Sequence, residues 1–396
     1  MPSVQRDINF FDPAVVGDPF PAYEEIRAAG PVVWNDLLQA WMVPGFEDCK
    51  TVLSDPARFS NAQYRDPAKV WWFEATNMVM ADPPDHRRLR APLAPMFTKG
   101  AVAKLSGRVG EVVDDLLAPL VSSPDGFDII GDLTMIPTVV LAELIGVPRE
   151  RQEDFRRWSS TIAGSLAYGR EDPEALARMR QASEELTEYL AEEFDRHRQN
   201  LPDDLLTAML QQPPELRMTD AEIRSTISVL LLAGYDTTAK LMSNCVVILD
   251  RHPDARRLLL SDPARIPGAV EEVLRWCGVL HGVLRTVESD TELAGTPVAR
   301  GQMVCTLPAA ANRDPDRWAD PLTFDIGREI KPHLGFGHGH HLCIGAPLAR
   351  LETTIAVEHL LRLAPEYSVR DVDYGKGWFV RGPERGLLRV PTPALV

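Results

Sequence analysis

The 396-residue sequence has few cysteines, no long hydrophobic run and no excess of basic residues. Its five cysteines are odd in number and widely spread, which argues against a disulfide framework. The longest strongly apolar stretch without a charge, residues 225–235, is far too short to cross a bilayer. The first residues read MPSVQRDINFFDP and resemble neither a signal peptide nor an anchor. We therefore expect a protein of the reducing cytoplasm.

The composition also limits the kinds of partner and the number of domains. A formal charge of −15 disfavours nucleic acid as a partner. The 33 prolines are scattered, and we find no repeat, low-complexity run or Ser/Gly linker. With 45% hydrophobic residues, the chain can bury a large core. We predict one continuous domain over residues 1–396.

The most informative stretch is residues 333–352, which read HLGFGHGHHLCIGAPLARLE. Alternating glycines allow tight bends or close approach to a bulky group before Cys343. A helix is predicted after Cys343, because Pro347 suits a first turn and apolar residues follow a 4-3-4 spacing. These apolar residues are Ile344, Leu348, Leu351 and Ile355. A helix start favours a thiolate, so Cys343 is a candidate metal ligand.

Two other interpretations of this stretch are open on the residues alone. A single cysteine at a helix start is usually structural. Zinc could be bound by a local cluster, although its HxHHxC pattern lacks the paired spacing of familiar zinc folds. That cluster consists of His338, His340, His341 and Cys343.

A long helix is predicted from a capping box at Thr219 and Glu222 to about Arg251. Its centre, residues 233–238, reads AGYDTT. A glycine inside a helix costs about 1 kcal/mol relative to alanine, so Gly234 needs a reason, which a flat cofactor would supply. One helix face carries Leu230, Ala233, Gly234, Thr237 and Leu241, with Asp236 at its edge. The alternative is an ordinary surface helix with an Asp236–Lys240 pair.

These motifs together resemble those of the cytochrome P450 family. Residues 336–345, FGHGHHLCIG, fill every fixed position of its haem-binding signature F-G-x-G-x-H-x-C-x-G. AGYDTT is similar to the family's oxygen-activation motif, and Glu272 and Arg275 match its E-x-x-R pair. The stretch DPPDHRRLR is similar to the segment whose His and Arg bind the haem propionates. The motifs occur in the family's order, between about residues 10 and 390.

The resemblance implies a mainly α fold with a smaller β-rich part, holding haem b between the long central helix and the cysteine helix. Cys343 would ligate the iron. Asp236 and Thr237 would be catalytic, and Glu272 and Arg275 a structural lock. The remaining haem contacts would come from His86, Arg90, Ala233, Gly234, Arg285, Phe336, His341 and Gly345.

Other positions are predicted less directly. Many family members carry an arginine where this chain has Thr323, so the lock is either completed by another basic residue, such as Arg313, or weaker. His281 is interpreted as a loop histidine with its hydrogen bonds satisfied. Residues 155–185 correspond to the family's access lid, and Trp378–Val380 fit a hairpin tip in the cavity. The predicted substrate pocket consists of Trp71, Trp72, Phe73, Leu230, Val283 and Phe379.

The predicted function is that of a haem-thiolate monooxygenase, which inserts one atom of O₂ into an apolar small molecule. The resemblance implies electrons from NAD(P)H through a ferredoxin and a ferredoxin reductase. Arg87 and Arg88 are expected to be available for docking this partner. The alternative is a non-catalytic haem-binding or gas-sensing protein, against which the acid–alcohol pair Asp236–Thr237 counts.

Overall fold

The computed structural model describes residues 6–64, 73–168, 172–200 and 202–391, and side chains are described for all of these except residues 163–168. Helices dominate. Their bounds are α1 Pro13–Gly17, α2 Phe20–Ala29, α3 Phe46–Ser54, α4 Asp85–Arg90, α5 Lys99–Ala103, α6 Ser106–Val121, α7 Met135–Ile145, α8 Gln152–Tyr168, α9 Pro173–Gln199, α10 Leu205–Leu210, α11 Asp220–Arg251, α12 Pro253–Ser261, α13 Ile266–Trp276, α14 Pro308–Ala311 and α15 Ala346–Leu363. None of the described helices combines the length and the apolarity that a bilayer crossing requires.

The strands form small sheets beside the helices. Their bounds are β1 Val33–Asn35, β2 Ala40–Val43, β3 Phe59–Ser60, β4 Phe127–Asp128, β5 Val283–Val287, β6 Thr291–Leu293, β7 Thr296–Val298, β8 Met303–Thr306, β9 Ser368–Asp373 and β10 Arg385–Arg389. The largest sheet has the order β1-β2-β8-β5-β3, in which β2 and β8 are parallel. A second sheet has the order β4-β10-β9, and β6 pairs with β7. The predicted mainly α fold with a smaller β-rich part is confirmed.

The long helix α11 organises the helical part. The side chain of Thr219 accepts from the Glu222 N–H while Glu222 caps the Thr219 N–H, so the predicted capping box is present. At about 1.5 Å per residue, the helix is about 48 Å long. It packs against α7, α8, α13 and α15. Most of its residues beyond Thr238 are buried, whereas its centre is more accessible.

Amphipathic patterns in the sequence also predict helices at residues 101–120, 136–144 and 174–197, and the first of these predictions is wrong in its extent. The chain instead forms α5 and α6, because the N–H groups of Lys104 and Leu105 bond to Ala101 and Val102, three residues back. Such bonds tighten the turn and end an α-helix. The helices predicted at 136–144 and 174–197 are confirmed, each slightly longer than predicted.

Candidate active site

The loop before Cys343 is shaped by close contact with the end of α3. Gly339 has φ +71°, and a Cβ there would lie 2.3 Å from the Leu53 carbonyl oxygen. Only glycine permits this approach. The Cys343 N–H donates to the Phe336 carbonyl at 3.0 Å, which closes the loop, and α15 then begins at Ala346. The loop and helix start therefore follow the prediction.

The surroundings of Cys343 are less favourable to a thiolate than predicted. Cys343 is surrounded by protein on most sides, yet the residue itself remains solvent-accessible. Burial raises the pKa of the thiol, and this outweighs the N–H groups of Gly345 and Ala346 and the charges of Arg90 and Arg350, which lower it. The N–H groups at the helix start do lower the pKa of Cys343, as predicted, but burial has the larger effect. A bound metal cation would supply the missing positive charge.

Four predicted cofactor residues converge beside the cysteine loop. The rings of His86 and His341 lie 4.4 Å apart. Arg90 Nη2 donates to the Leu342 carbonyl at 2.6 Å. Arg285 is 5% exposed. The pKa of His341 is lowered mainly by burial and further by the positive charge of Arg285. Burial also lowers the pKa of His86, to about 4, and those of Arg90 and Arg285.

These four residues fit the carboxylates of haem propionates. His86 Nε2 is buried without a hydrogen-bond partner, as is Nε2 of the neighbouring His340. Asn61 Nδ2 lies 2.8 Å from His341 Nε2, and since an amide nitrogen only donates, the ring proton of His341 is on Nδ1. Buried donors and guanidinium groups without a carboxylate partner are suited to bind anions. The arrangement therefore supports the predicted roles.

A metal ion is a weaker candidate for this place. Ligand atoms of Asp82, His340 and His341 lie within 4.8 Å of one another, a spacing that could hold a metal. The positive charges of Arg285 and Arg90 also act on His340, which favours an anion over a cation. The group does not include Cys343, so the alternative of a zinc cluster of three histidines and Cys343 does not form among the described residues.

At the centre of α11, Ala233 is exposed although most of the helix is buried. The Thr237 hydroxyl donates to the Ala233 carbonyl at 2.6 Å. Asp236 retains 34% of its side-chain surface and pairs with Lys240 at 2.6 Å. The structure gives a reason for Gly234 other than the predicted one, because a Cβ there would lie 3.2 Å from Leu141 on α7. Gly234 thus allows close helix packing, and Ala233 presents the accessible surface.

The buried lock on α13 contains a residue that the sequence did not indicate. Arg275 donates to both carboxylate oxygens of Glu272, at 2.7 and 2.8 Å. Arg328 donates to Glu272 at 3.3 Å, and both arginines donate to the Thr323 carbonyl at 3.1 Å. Arg328 thus takes the place of the arginine that is missing at Thr323.

Arg313, the predicted candidate for that place, serves a different purpose. Its guanidinium lies 3.3 Å from the ring centroid of Phe20, and its Nε donates to the Trp276 carbonyl. Arg313 therefore joins α2 to α13.

The residues of the predicted substrate pocket lie in different surroundings. Trp71 and Trp72 lie outside the described residues. Phe73 lines a cleft of about 50 Å³ together with Leu232 of α11. Leu230 is only 7% exposed and belongs to the main core, and Val283 is half-buried.

The predicted hairpin tip divides between core and surface. Trp378 is fully buried, stacks on Phe10 at 4.2 Å and donates to the Tyr23 hydroxyl, so its placement in the cavity is wrong. Phe379 lies beside Trp378 and remains half-buried. His281 bonds to the Tyr23 hydroxyl and to the Cys277 carbonyl. Both of its ring nitrogens have partners, which confirms the prediction for this residue.

The two arginines predicted to dock a partner differ. Arg87 is exposed on α4. Arg88 instead donates to Glu222 at 2.5 Å and to the Arg217 carbonyl at 3.0 Å, which ties α4 to the start of α11. The prediction that Arg88 is available is therefore wrong.

Sequence reasoning missed three residues near the site: Asn61, Arg328 and Glu384. Asn61 fixes the tautomer of His341, and Glu384 lies 3.0 Å from Lys240. Each is far along the chain from its partner and lies in an aperiodic segment. No local pattern could have indicated them.

Comparison with known proteins agrees with this geometry. A family model described as Cytochrome P450 matches residues 166–262 and 266–383. The chain is 36% identical over 397 residues to cytochrome P450 monooxygenase PikC from Streptomyces venezuelae, covering 97% of this chain and 93% of PikC. It is 36% identical over 336 residues to erythromycin C-12 hydroxylase from Saccharopolyspora erythraea, covering 83% of each. The crystal structure of CalO2 has a TM-score of 0.89 at 30% identity, covering 97% of this chain and 99% of CalO2. The chain belongs to the cytochrome P450 family and is a haem-dependent monooxygenase.

Proposed function

We propose that this monooxygenase oxidises an apolar small molecule with electrons from a ferredoxin and its reductase, and that Asp236 and Thr237 manage the protons. The family uses haem b and O₂, with reducing equivalents that come from NAD(P)H through partner proteins. The observation that carries the proposal is the pairing of an exposed helix centre at Ala233 with the acid and alcohol beside it. A passive haem holder needs no such pair.

Haem, when bound, supplies the oxygen chemistry, with thiolate ligation favouring O–O cleavage. Cys343 would hold the iron, and Phe336 and Gly345 shape the backbone on either side of it. His86, Arg90, Arg285 and His341 would hold the propionates, and among the described residues His86 Nε2 has no hydrogen-bond partner and neither arginine is paired with a carboxylate within 4 Å. These assignments rest on the convergence of the residues and on their charges.

Thr237 is placed to receive a proton donor. Its hydroxyl already donates to the Ala233 carbonyl, so its oxygen lone pairs are the groups it offers towards the accessible side of the helix. A water molecule could donate to this oxygen and be held in place by it. Asp236, one residue earlier, can exchange protons with solvent through its exposed third. General acid–base steps of this kind contribute roughly 10²–10⁴-fold to a rate.

An apolar substrate is proposed from the side chains around the helix centre. Phe73 and Leu232 line the same cleft, and Val283 and Phe379 are half-buried. The cleft is also lined by charged and hydroxyl side chains, among them Glu74, Arg224, Ser225 and Ser228, so the apolar substrate is proposed from the aromatic and aliphatic side chains alone and not from the cleft as a whole. Ferredoxin as the electron donor is proposed from the family alone.

The test is turnover with a reconstituted ferredoxin system. A substrate is first found by titrating apolar compounds and following the Soret band of the ferric protein. In Thr237→Ala, haem binding and substrate affinity should be nearly unchanged, while reducing equivalents are diverted to peroxide. In Asp236→Asn, O₂ consumption itself should slow by roughly 10²-fold, since proton supply is interrupted. NADH consumed, peroxide released and product formed are measured in one mixture.

Thr238→Ala is the matched control. Thr238 is the next residue after Thr237 in α11, but it is buried. It should keep normal coupling. Unchanged coupling in Thr237→Ala together with an unchanged rate in Asp236→Asn would show that protons travel elsewhere. A wild-type protein that binds haem but forms no product from any apolar compound it binds would instead overturn the proposed substrate class.

A further inference from the structure

Lys240 is a buried ammonium group that is paired with two carboxylates. Its side chain is 4% exposed, and Nζ lies 2.6 Å from Asp236 Oδ2 and 3.0 Å from Glu384 Oε1. It also donates to the Val380 carbonyl at 3.4 Å. Glu384 Oε1 has no hydrogen-bond partner among the described residues, so its contact with the ammonium is an ion pair and not a hydrogen bond. Asp236 and Lys240 are one helical turn apart, whereas Glu384 comes from the far end of the chain.

Glu384 reaches Lys240 because the segment 380–384 lies directly on α11. A Cβ on Gly382 would lie 2.5 Å from Lys240 Cβ and 3.1 Å from its Cα, so only glycine allows this contact. The Glu384 N–H donates to the Asp373 carbonyl at 2.7 Å, which fixes the residue at the start of β10. Glu384 keeps 23% of its side-chain surface. The fold thus places a second, partly exposed carboxylate on the same ammonium as Asp236.

We propose that Lys240 and Glu384 are positioning residues for Asp236: the ammonium keeps the Asp236 carboxylate ionised and directed towards it, and Glu384 limits how strongly the ammonium holds Asp236. This rests on the proposed role of Asp236 in proton supply. If Asp236 were the only carboxylate partner of Lys240, the ammonium would hold it tightly. Because Lys240 is shared between two carboxylates, neither carboxylate has it alone.

The charges around Asp236 agree with this arrangement. Burial raises the pKa of Asp236, Lys240 lowers it and Glu384 raises it. Among the described residues, Lys240 and Glu384 are the charged groups that act on this carboxyl. Burial alone would lower the pKa of Lys240, but the carboxylates of Asp236 and Glu384 outweigh it and raise the pKa. Lys240 therefore stays charged and does not itself carry protons to Asp236.

Removing the charge of Lys240 and removing that of Glu384 should shift the pKa of Asp236 in opposite directions. Lys240→Met keeps much of the side-chain length but removes the charge, so burial and Glu384 act on Asp236 without opposition. Glu384→Gln removes the competing carboxylate, so Lys240 serves Asp236 alone. A purely structural link between α11 and segment 380–384 would not produce shifts of opposite sign. Lys240→Arg keeps the charge and is the conservative control.

The primary experiment is a pH titration of the haem-loaded ferric protein by infrared spectroscopy, without turnover. The Asp236 band is identified as the carboxyl signal that Asp236→Asn removes. An opposite charge nearby typically moves a carboxyl pKa by about 1–3 units, so the midpoint in Lys240→Met should rise by about one unit or more. It should fall in Glu384→Gln, by less, since Glu384 is partly exposed. Lys240→Arg should stay close to wild type.

A second measurement follows O₂ consumption against pH in the reconstituted system. The acid-side midpoint of each variant should shift in the same direction as its infrared midpoint. Unshifted infrared midpoints, or shifts of the same sign in Lys240→Met and Glu384→Gln, would overturn the proposal. If Lys240→Met does not fold, Glu384→Gln still decides the question. Opposite infrared shifts with an unaffected rate in Asp236→Asn would instead overturn the proton-supply function and leave the positioning intact.

Discussion

The pKa values of single residues in this protein depend on the balance between burial and nearby charge. Cys343 shows this most clearly, since burial raises its pKa although two N–H groups and two arginines act against it. Burial likewise lowers the pKa of His86 and that of Arg90 beside it, although Arg90 stays charged. The Cys343 thiol needs a positive charge nearby in order to lose its proton, and the basic side chains beside it need anionic partners. Haem meets both needs, because its iron is cationic and its propionates are anionic.

Cys343→Ser should remove the thiolate-type spectrum, because a neutral hydroxyl is a poor donor to iron. The red-shifted Soret band of the ferrous–CO form should disappear. Product formation should fall by more than the roughly 10–100-fold typical when a residue behind a metal ligand is changed. Cys49→Ser is the control, since Cys49 Sγ lies 3.1 Å from the Val43 carbonyl and a serine can make that bond. Full turnover and an unchanged CO spectrum in Cys343→Ser would exclude Cys343 as the ligand.

At the scale of elements, local signals predicted α11 and α15 well but not the contacts between distant segments. The capping box at Thr219 gave the start of α11, and Pro347 with the apolar spacing gave α15. Trp378 could not be placed, because its burial depends on Phe10 and Tyr23 at the other end of the chain. The Lys240–Glu384 contact likewise depends on two segments that are distant along the chain, so it could not be predicted. The site residues were predicted from motifs, whereas their supports come from tertiary packing.

The lock on α13 illustrates how a loop residue can replace a missing one. Arg328 follows Thr323 by five residues and reaches back to Glu272 and to the carbonyls of Ala319, Asp320 and Thr323. Only the backbone of Thr323 takes part. The identity of residue 323 is thus unimportant so long as Arg328 is present.

Arg328→Met should lower the free energy of unfolding by about 1.5–3 kcal/mol, the range for hydrogen bonds to a charged group. Arg275→Met should cost more, about 3–5 kcal/mol, because it leaves the buried Glu272 carboxylate without its main partner. Thr323→Ala, which keeps the carbonyl, should change stability by no more than about 0.5 kcal/mol. Denaturant unfolding of the three variants measures the order. Equal losses in Arg328→Met and Thr323→Ala would contradict the role of Arg328.

At the scale of the whole molecule, a formal charge of −15 coexists with local basic groups on the cysteine side. Helix α4 carries His86 and Arg90 towards the site, and Arg90 bonds to Leu342, which is 46% exposed beside Cys343. Arg87 is exposed on the same helix. A docking protein responds to such local charge more than to the net charge, because salt screens interactions beyond about 8–10 Å. Electrons would travel the shortest distance to the haem from this side.

Arg87→Glu should therefore slow ferredoxin-supported reduction by about 3–10-fold at low ionic strength, with the difference from wild type shrinking as salt is added. The measurement is the rate of reduction at several ferredoxin and salt concentrations. Arg178→Glu on α9 is the matched control, since Arg178 is 60% exposed and the substitution changes the net charge equally. Arg88 is unsuitable for this test, because its contact with Glu222 ties α4 to α11. If Arg87→Glu and Arg178→Glu slow reduction alike, only net charge matters and the donor docks elsewhere.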